Sequence, residues 1–223
     1  MIRPTNALIV VAKRPAAGQT KTRLSAVLSP ETAATLYECF LQDTLDRVRE
    51  TPGVRPVVAY LPEDAEDYFG QLAPDFDRIA QVGPDLGARL DNALSHYLKN
   101  GYERAVIMNS DGPTLPAAYL VQAFRELNGA ADMVLGPCDD GGYYLIGLKR
   151  PAPRLLREVR MSTPQVTADT LALATAEGLR VALLPTWYDV DDADSLARLV
   201  TELTTAPEPA ARHTWQFIQQ LFQ

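Results

Sequence analysis

The sequence predicts an α/β protein, a three-layer α/β/α sandwich around a mostly parallel central sheet. Two observations carry this expectation. Short apolar runs rich in β-branched residues alternate with longer segments of helical period, the order that folds into parallel strands covered by helices. The first run, residues 7–12, reads Ala-Leu-Ile-Val-Val-Ala without a polar break, as a strand does when helices cover both of its faces. Size and composition agree: 223 residues, 47% hydrophobic and 22% charged, suffice to bury a core without disulfides or structural metals.

Each element has its own warrant. Residues 13–24 form a loop holding Pro15 and Gly18. Ser29, Pro30 and Glu31 start a helix with a capping hydroxyl, a proline where no amide partner is needed, and an acid near the positive end of the dipole. Leu36, Phe40, Leu41, Leu45 and Val48 keep helical spacing to about Glu50, where Thr51, Pro52 and Gly53 stop it. A strand over 56–60, a short acidic helix over 62–72 and a strand over 78–82 follow. Leu86, Leu90, Ala93, Leu94 and Tyr97 mark a helix that ends near Asn100 and Gly101. Val106, Ile107 and Met108 open the fourth strand, and Pro116 suits the first turn of a helix that closes at Asn128 and Gly129. Strands over 133–135 and 143–148 come next. A helix opens at Thr163 and Pro164 and runs to Glu177, a strand covers 180–184, and a helix covers 193–203. No internal repeat is present.

Residues 1–203 are expected to form one domain. Residues 204–209 read as a linker, and the rest of 204–223 as a C-terminal helix. Its Trp215, Phe217, Ile218, Leu221 and Phe222 pack either on the body or on a second subunit, which would make a homodimer.

Charge and cysteine content narrow the function. The formal charge of −7 argues against a general nucleic-acid binder, because phosphate backbones repel an acidic surface; a single nucleotide needs only a local basic patch. Cys39 and Cys138 lie far apart and make no metal-type spacing. The N-terminal apolar run is too short for a membrane span or a signal core, and a cytoplasmic protein is expected. His96 and His213 lie within predicted helices, away from any nucleophile motif, so no hydrolase triad is indicated.

Four stretches can carry chemistry. Lys13, Arg14, Lys21 and Arg23 crowd one loop after the first strand, where cations meet phosphate oxygens and Gly18 lets a backbone come close; a solvated basic loop is the simpler alternative. A P-loop is not present, since Pro15 and Thr20 stand where both glycines belong, and there is no Gly-x-Gly-x-x-Gly. Asp111 closes the fourth strand at the edge where ligands bind in open α/β sheets, although turn aspartates often cap their own backbone. Asp139, Asp140, Gly141 and Gly142 either make a hairpin turn or let a ligand lie against the chain. Asp189 and Asp191 precede a helix but lie outside its capping positions. Carboxylates at two strand ends and cations at a third suit a phosphate-bearing substrate with Mg²⁺ or Mn²⁺.

Five blocks in fixed order then resemble a known family. They are Lys13-x-Pro15-x-x-Gly18-x-x-Lys21-Thr22-Arg23-Leu24; Ser110-Asp111-x-Pro113-x-Leu115-Pro116; Gly136-Pro137-x-x-Asp140-Gly141-Gly142-Tyr143-Tyr144; Ser162-Thr163-Pro164; and Asp189-Val190-Asp191. From about residue 7 to 200 the chain resembles the bacterial GT-A-like transferases, glycosyltransferase-labelled, of the nucleotide-diphospho-sugar transferase superfamily. Phospholactate and molybdenum-cofactor guanylyltransferases are relatives. The resemblance implies a metal-dependent transferase that moves a nucleotidyl group from a nucleoside triphosphate, or a glycosyl group from a nucleotide sugar, to a small acceptor. A non-catalytic nucleotide or sugar sensor on the same fold is the alternative, and an assembly module built on the C-terminal helix is a third. It implies that Lys21 and Arg23, with Asp111, are catalytic. Lys13, Gly18, Lys21, Arg23 and Ser110 would bind the nucleotide, Asp111 and Asp191 the metal, and Asp140, Gly141, Gly142 and Tyr143 the acceptor. The chain departs from the pattern in three places: Gly112 and Pro113 follow Asp111, so there is no Asp-x-Asp; the first loop holds one glycine; and Met161 stands where relatives often have Trp.

Overall fold

The computed structural model describes residues 5–206 and 210–221. Its strands are β1 (Asn6–Lys13), β2 (Val54–Leu61), β3 (Asp77–Ala80), β4 (Arg104–Met108), β5 (Met133–Pro137), β6 (Tyr143–Leu148) and β7 (Val181–Leu183). The helices are α1 (Pro30–Arg49), α2 (Glu66–Leu72), α3 (Leu86–Lys99), α4 (Ala117–Asn128), α5 (Arg154–Arg157), α6 (Val166–Ala176), α7 (Ala193–Thr205) and α8 (Arg212–Leu221). The strands form one sheet in the order β3-β2-β1-β4-β6-β5-β7. All neighbours pair in parallel except β6, which runs against both β4 and β5. The expected mostly parallel sandwich is the observed one.

Strand periodicity splits the core into two layers, because successive side chains point to opposite faces. Leu8, Val10 and Ala12 of β1 join Leu36 and Phe40 of α1, Leu120 and Leu127 of α4, Leu199 of α7 and Ile218 of α8 on one face. Ala7 and Ile9 join Leu90 and Leu94 of α3, Leu155 of α5 and Ala174 of α6 on the other. Every one of these β1 side chains is at most 2% exposed, which is why the run has no polar alternation.

Several expected boundaries shift. The strand expected over 78–82 ends at Ala80, since Gln81 turns its amide inward to the Ala12 and Ala59 carbonyls, at 3.2 and 2.9 Å, and Val82 is exposed. Thr163 does not cap a helix; its hydroxyl bonds back to the Arg160 carbonyl at 2.9 Å, and α6 begins three residues later. The four residues of α5 are too few to show a period in sequence. Helix α7 continues through Thr204 and Thr205, which shortens the expected linker. The rest of that linker, 207–209, and Phe222 lie outside the described residues.

The stretch 138–142 resolves as the connection of the antiparallel β5–β6 pair, closed by a 2.8 Å bond from the Cys138 amide to the Gly142 carbonyl. Gly141 has φ +90°, and a Cβ there would stand 2.0 Å from the Pro164 carbonyl oxygen. That position therefore demands glycine for the turn and for the close approach.

Candidate active site

Strand order places the site. The chain leaves β1 towards β2 and β3, then crosses back to lay β4 on β1's other side. Loops leaving the two adjacent parallel strands diverge at their carboxyl ends, and this is where open α/β sheets hold ligands. A cleft of about 750 Å³ occupies that position.

The loop after β1 is pinned from below. Ser110 donates to the Val11 carbonyl at 3.0 Å and shares a 2.9 Å hydrogen bond with the Tyr37 hydroxyl, which also accepts from the Lys13 amide at 3.2 Å. Burial, then the nearby Asp111 charge, pushes the Tyr37 phenol up to about 12, so it remains a neutral link. Lys13 reaches across its own loop to the Gln19 carbonyl at 3.1 Å.

Lys21 is the centre of the site. Its backbone is left-handed, φ 50° and ψ 40°, at the start of a 3₁₀ turn over Thr22–Ala26. An L-residue holds that conformation only where its surroundings fix it. The side chain is 5% exposed, and its ammonium lies 2.5 Å from Asp111 Oδ1 and 2.8 Å from Asp191 Oδ1. The rings of Tyr37 and Phe40 lie behind it, each with its centroid 5.8 Å away. Burial by itself would lower the Lys21 pKa; the two carboxylates outweigh it and hold the ammonium charged well above the usual lysine range.

The two acids arrive on separate loops that are tied together, since the Val190 amide donates to the Asp111 carbonyl at 2.9 Å. Asp192 and Ser195 form the capping box of α7. They satisfy the helix end, which leaves Asp189 and Asp191 facing the cleft. Asn109 donates to Asp189 Oδ2 at 2.7 Å, while Asp189 Oδ1 is buried with no hydrogen-bond partner among the described residues. Burial first, then the Asp111 charge, pushes Asp189 up to about 7.

Among the sequence-selected residues, Lys13, Lys21, Arg23, Ser110, Asp111, Asp140, Gly142, Tyr143 and Asp191 all line this one cleft. Gly18 and Gly141 do not. Gly18 makes an exposed left-handed turn at φ +71°, and Gly141 packs under Pro164. Gln81, Arg89, Asn109, Tyr37 and Asp189 line the cleft as well. Tyr37 and Arg89 sit inside amphipathic helices, where a functional side chain keeps the helical period and leaves no separate signal.

Hard carboxylate oxygens suit Mg²⁺ or Mn²⁺. Among the described residues, no group of three His, Cys, Asp or Glu side chains could hold a metal ion unaided. Mg²⁺ commonly needs only one or two carboxylates when substrate phosphates complete its shell. Asp111 and Asp191 meet that requirement.

The fold is that of the nucleotide-diphospho-sugar transferases. A crystal structure of a candidate nucleotide-diphospho-sugar transferase from Desulfovibrio desulfuricans G20 matches 98% of this chain and 95% of its own, with a TM-score of 0.89 and 31% identity. More distant structures share the fold: CMP:2-keto-3-deoxy-manno-octonic acid synthetase complexed with CTP, with TM-score 0.57 and 12% identity over 87% of this chain and 96% of its own; and Rv0371c complexed with manganese from Mycobacterium tuberculosis H37Rv, with TM-score 0.53 and 19% identity over 86% and 97%. Residues 44–163 match the family described as uncharacterized protein conserved in bacteria (DUF2064), and the chain belongs to that family. No curated protein matches it.

Proposed function

We propose that this protein is a metal-dependent transferase acting on a nucleotide, with nucleotidyl transfer from a nucleoside triphosphate to a small acceptor as the reaction the site suits best. The observation that carries this reading is the Lys21 ammonium held between Asp111 and Asp191 at the carboxyl edge of β1 and β4. Charge of both signs is concentrated where a phosphate chain and its counter-ion are handled together.

Asp111 and Asp191 would hold Mg²⁺ or Mn²⁺, and the ion would neutralise charge on the phosphates and the leaving diphosphate. The same two acids already carry the Lys21 ammonium, so an ion held there would share them with it. Lys13 donates to the Gln19 carbonyl, and neither Lys13 nor Arg23 makes an ion pair with a carboxylate among the described residues, so both can turn their charge to phosphate oxygens. Asp140, Gly142 and Tyr143 line the side left to the acceptor. The crystal structure of the Desulfovibrio relative supports a transferase, and the CTP complex of the synthetase supports a triphosphate as donor. Glycosyl transfer from a nucleotide sugar is less well served, because Gly112 and Pro113 replace the second acid of an Asp-x-Asp motif.

Thermal denaturation with a panel of triphosphates and nucleotide sugars, each with Mg²⁺ or Mn²⁺, tests the reading, since a ligand bound only by the native state raises Tm. A triphosphate is expected to raise Tm in a metal-dependent way in the wild type but not in Asp111→Asn or Asp191→Asn. Stabilisation by nucleotide sugars alone would favour glycosyl transfer, and binding without turnover would favour a sensor. No shift by either group would end the proposal.

A further inference from the structure

The cleft straddles the edge of the sheet, and its two halves differ in character. Lys21 belongs to the half backed by α1. The other half lies over the layer formed by α3, α5 and α6: Leu90, Ile107 and Ile146 of that core line it, with Tyr143 and Met161 packed against them. Within this largely apolar half stands Arg89.

Arg89 differs from the arginines near it. Arg157 pairs with Asp91 at 2.5 Å and Asn92 at 2.6 Å, and Arg154 pairs with Glu158 at 2.9 Å. The Arg89 side chain makes no hydrogen bond or ion pair among the described residues, and its Nε is buried without a partner. Buried donors are nearly always satisfied in native proteins. A guanidinium one turn inside α3 also opposes the helix dipole, which favours anions at that end.

Its position is nevertheless firmly fixed. Asp85 caps α3 by accepting from the Ala88 amide at 2.7 Å. Gly87 packs so closely on α5 that a Cβ would stand 2.0 Å from the Leu156 carbonyl oxygen, and a Cβ on Gly83 would stand 2.9 Å from the Arg89 amide. A side chain held on a rigid platform, unpaired and facing a cleft, is arranged as a binding group is.

We propose that Arg89 is the anchor of an anion subsite in the acceptor half of the cleft, so that the second substrate carries a carboxylate or phosphate group that Arg89 holds. This rests on reading the cleft as a transferase site. The planar guanidinium can bind either anion through two parallel hydrogen bonds. The apolar walls of Leu90, Ile107, Ile146 and Met161 strengthen that pairing by excluding water. Arg89 thereby selects and orients the acceptor, while the donor's phosphates belong to the loop after β1.

Labelling of arginines by phenylglyoxal, read peptide by peptide in a mass spectrometer, tests this on the intact chain. Separate arms contain inorganic phosphate, malonate, and mixed nucleoside triphosphates with Mg²⁺. Phosphate or malonate is expected to slow labelling of Arg89 by about tenfold, as a charge-assisted contact would, and the more protective one names the anion. Triphosphates are expected to protect Arg23 instead. Arg89→Gln should lose the rise in Tm that the small anion gives while keeping the rise that triphosphates give. Unchanged labelling of Arg89 in both anion arms overturns the proposal, as does protection by triphosphates alone, which would make Arg89 a donor contact. If triphosphates protect no arginine, the transferase reading fails separately, and the anion subsite stands or falls on its own arms.

Discussion

A single ammonium settles the electrostatics of the cleft. Lys21 is nearly inaccessible yet neutralises two acids that are themselves about one-third and two-fifths exposed. Removing one partner of a buried ion pair leaves the other uncompensated, at a cost of about 3–5 kcal/mol when all partners are buried. Exposure of Asp111 and Asp191 discounts that figure, and Lys21→Met is expected to cost about 1–3 kcal/mol. It also leaves two carboxylates sharing no cation. Added Mg²⁺ should therefore raise Tm more in Lys21→Met than in the wild type, which differential scanning calorimetry would show; equal response would argue that the two acids do not share an ion. At this scale the sequence was partly legible. Asp111 and Lys21 stand out because an acid at a strand end and a cluster of cations are unusual where they occur. Tyr37 does not, because its hydroxyl chemistry is hidden in the period of α1.

At the scale of elements, polar side chains fasten pieces that apolar packing only brings together. Asp43 of α1 is 4% exposed and accepts from the His213 amide at 2.9 Å, the Thr214 amide at 2.8 Å and the Thr214 hydroxyl at 2.6 Å. It thus caps α8 from another helix, placing an acid at the positive end of the dipole. Asp43→Ala orphans three donors and should lower stability by about 2 kcal/mol or more, visible in urea denaturation.

Asp132 does similar work between β5 and β7, accepting from Arg180 at 2.8 and 3.0 Å. Its hydrogen bonds with Arg180 hold its carboxyl well below the usual range. A carboxyl whose folded pKa is depressed contributes stability above its unfolded pKa of about 3.9, and that contribution is lost as pH falls through the folded value. Wild type should therefore melt above Asp132→Asn at pH 7, with the gap closing below about pH 4. A gap of the same size at pH 7 and pH 2 would assign the effect to packing. Neither link is visible in sequence, since an acid on a helix face or in a loop looks like ordinary solvated charge.

At the scale of the whole molecule, every residue lining the cleft lies between Val11 and Asp191, while α8 contributes to the core through Ile218 and Thr214. Truncation after Thr205 is expected to lower Tm by several degrees, by uncovering α1, yet to leave nucleotide affinity unchanged. A matching loss of affinity would place α8 in the function. Sizing the truncated and full chains by light scattering tells whether α8 also joins two subunits. Among the described residues, no helix is long and apolar enough to cross a membrane.

The sequence alone determined the α/β class, the order of the strands and longer helices, and the stretches rich in chemistry, because apolar periodicity, capping residues and glycine–proline punctuation are local properties. Tertiary structure decided the rest. The antiparallel insertion of β6, the pairing of Asp111 and Asp191 on one ammonium, and the presence of the unpaired Arg89 side chain in the same cleft depend on which strands become neighbours. Long-range contacts choose those neighbours, and no local pattern records that choice.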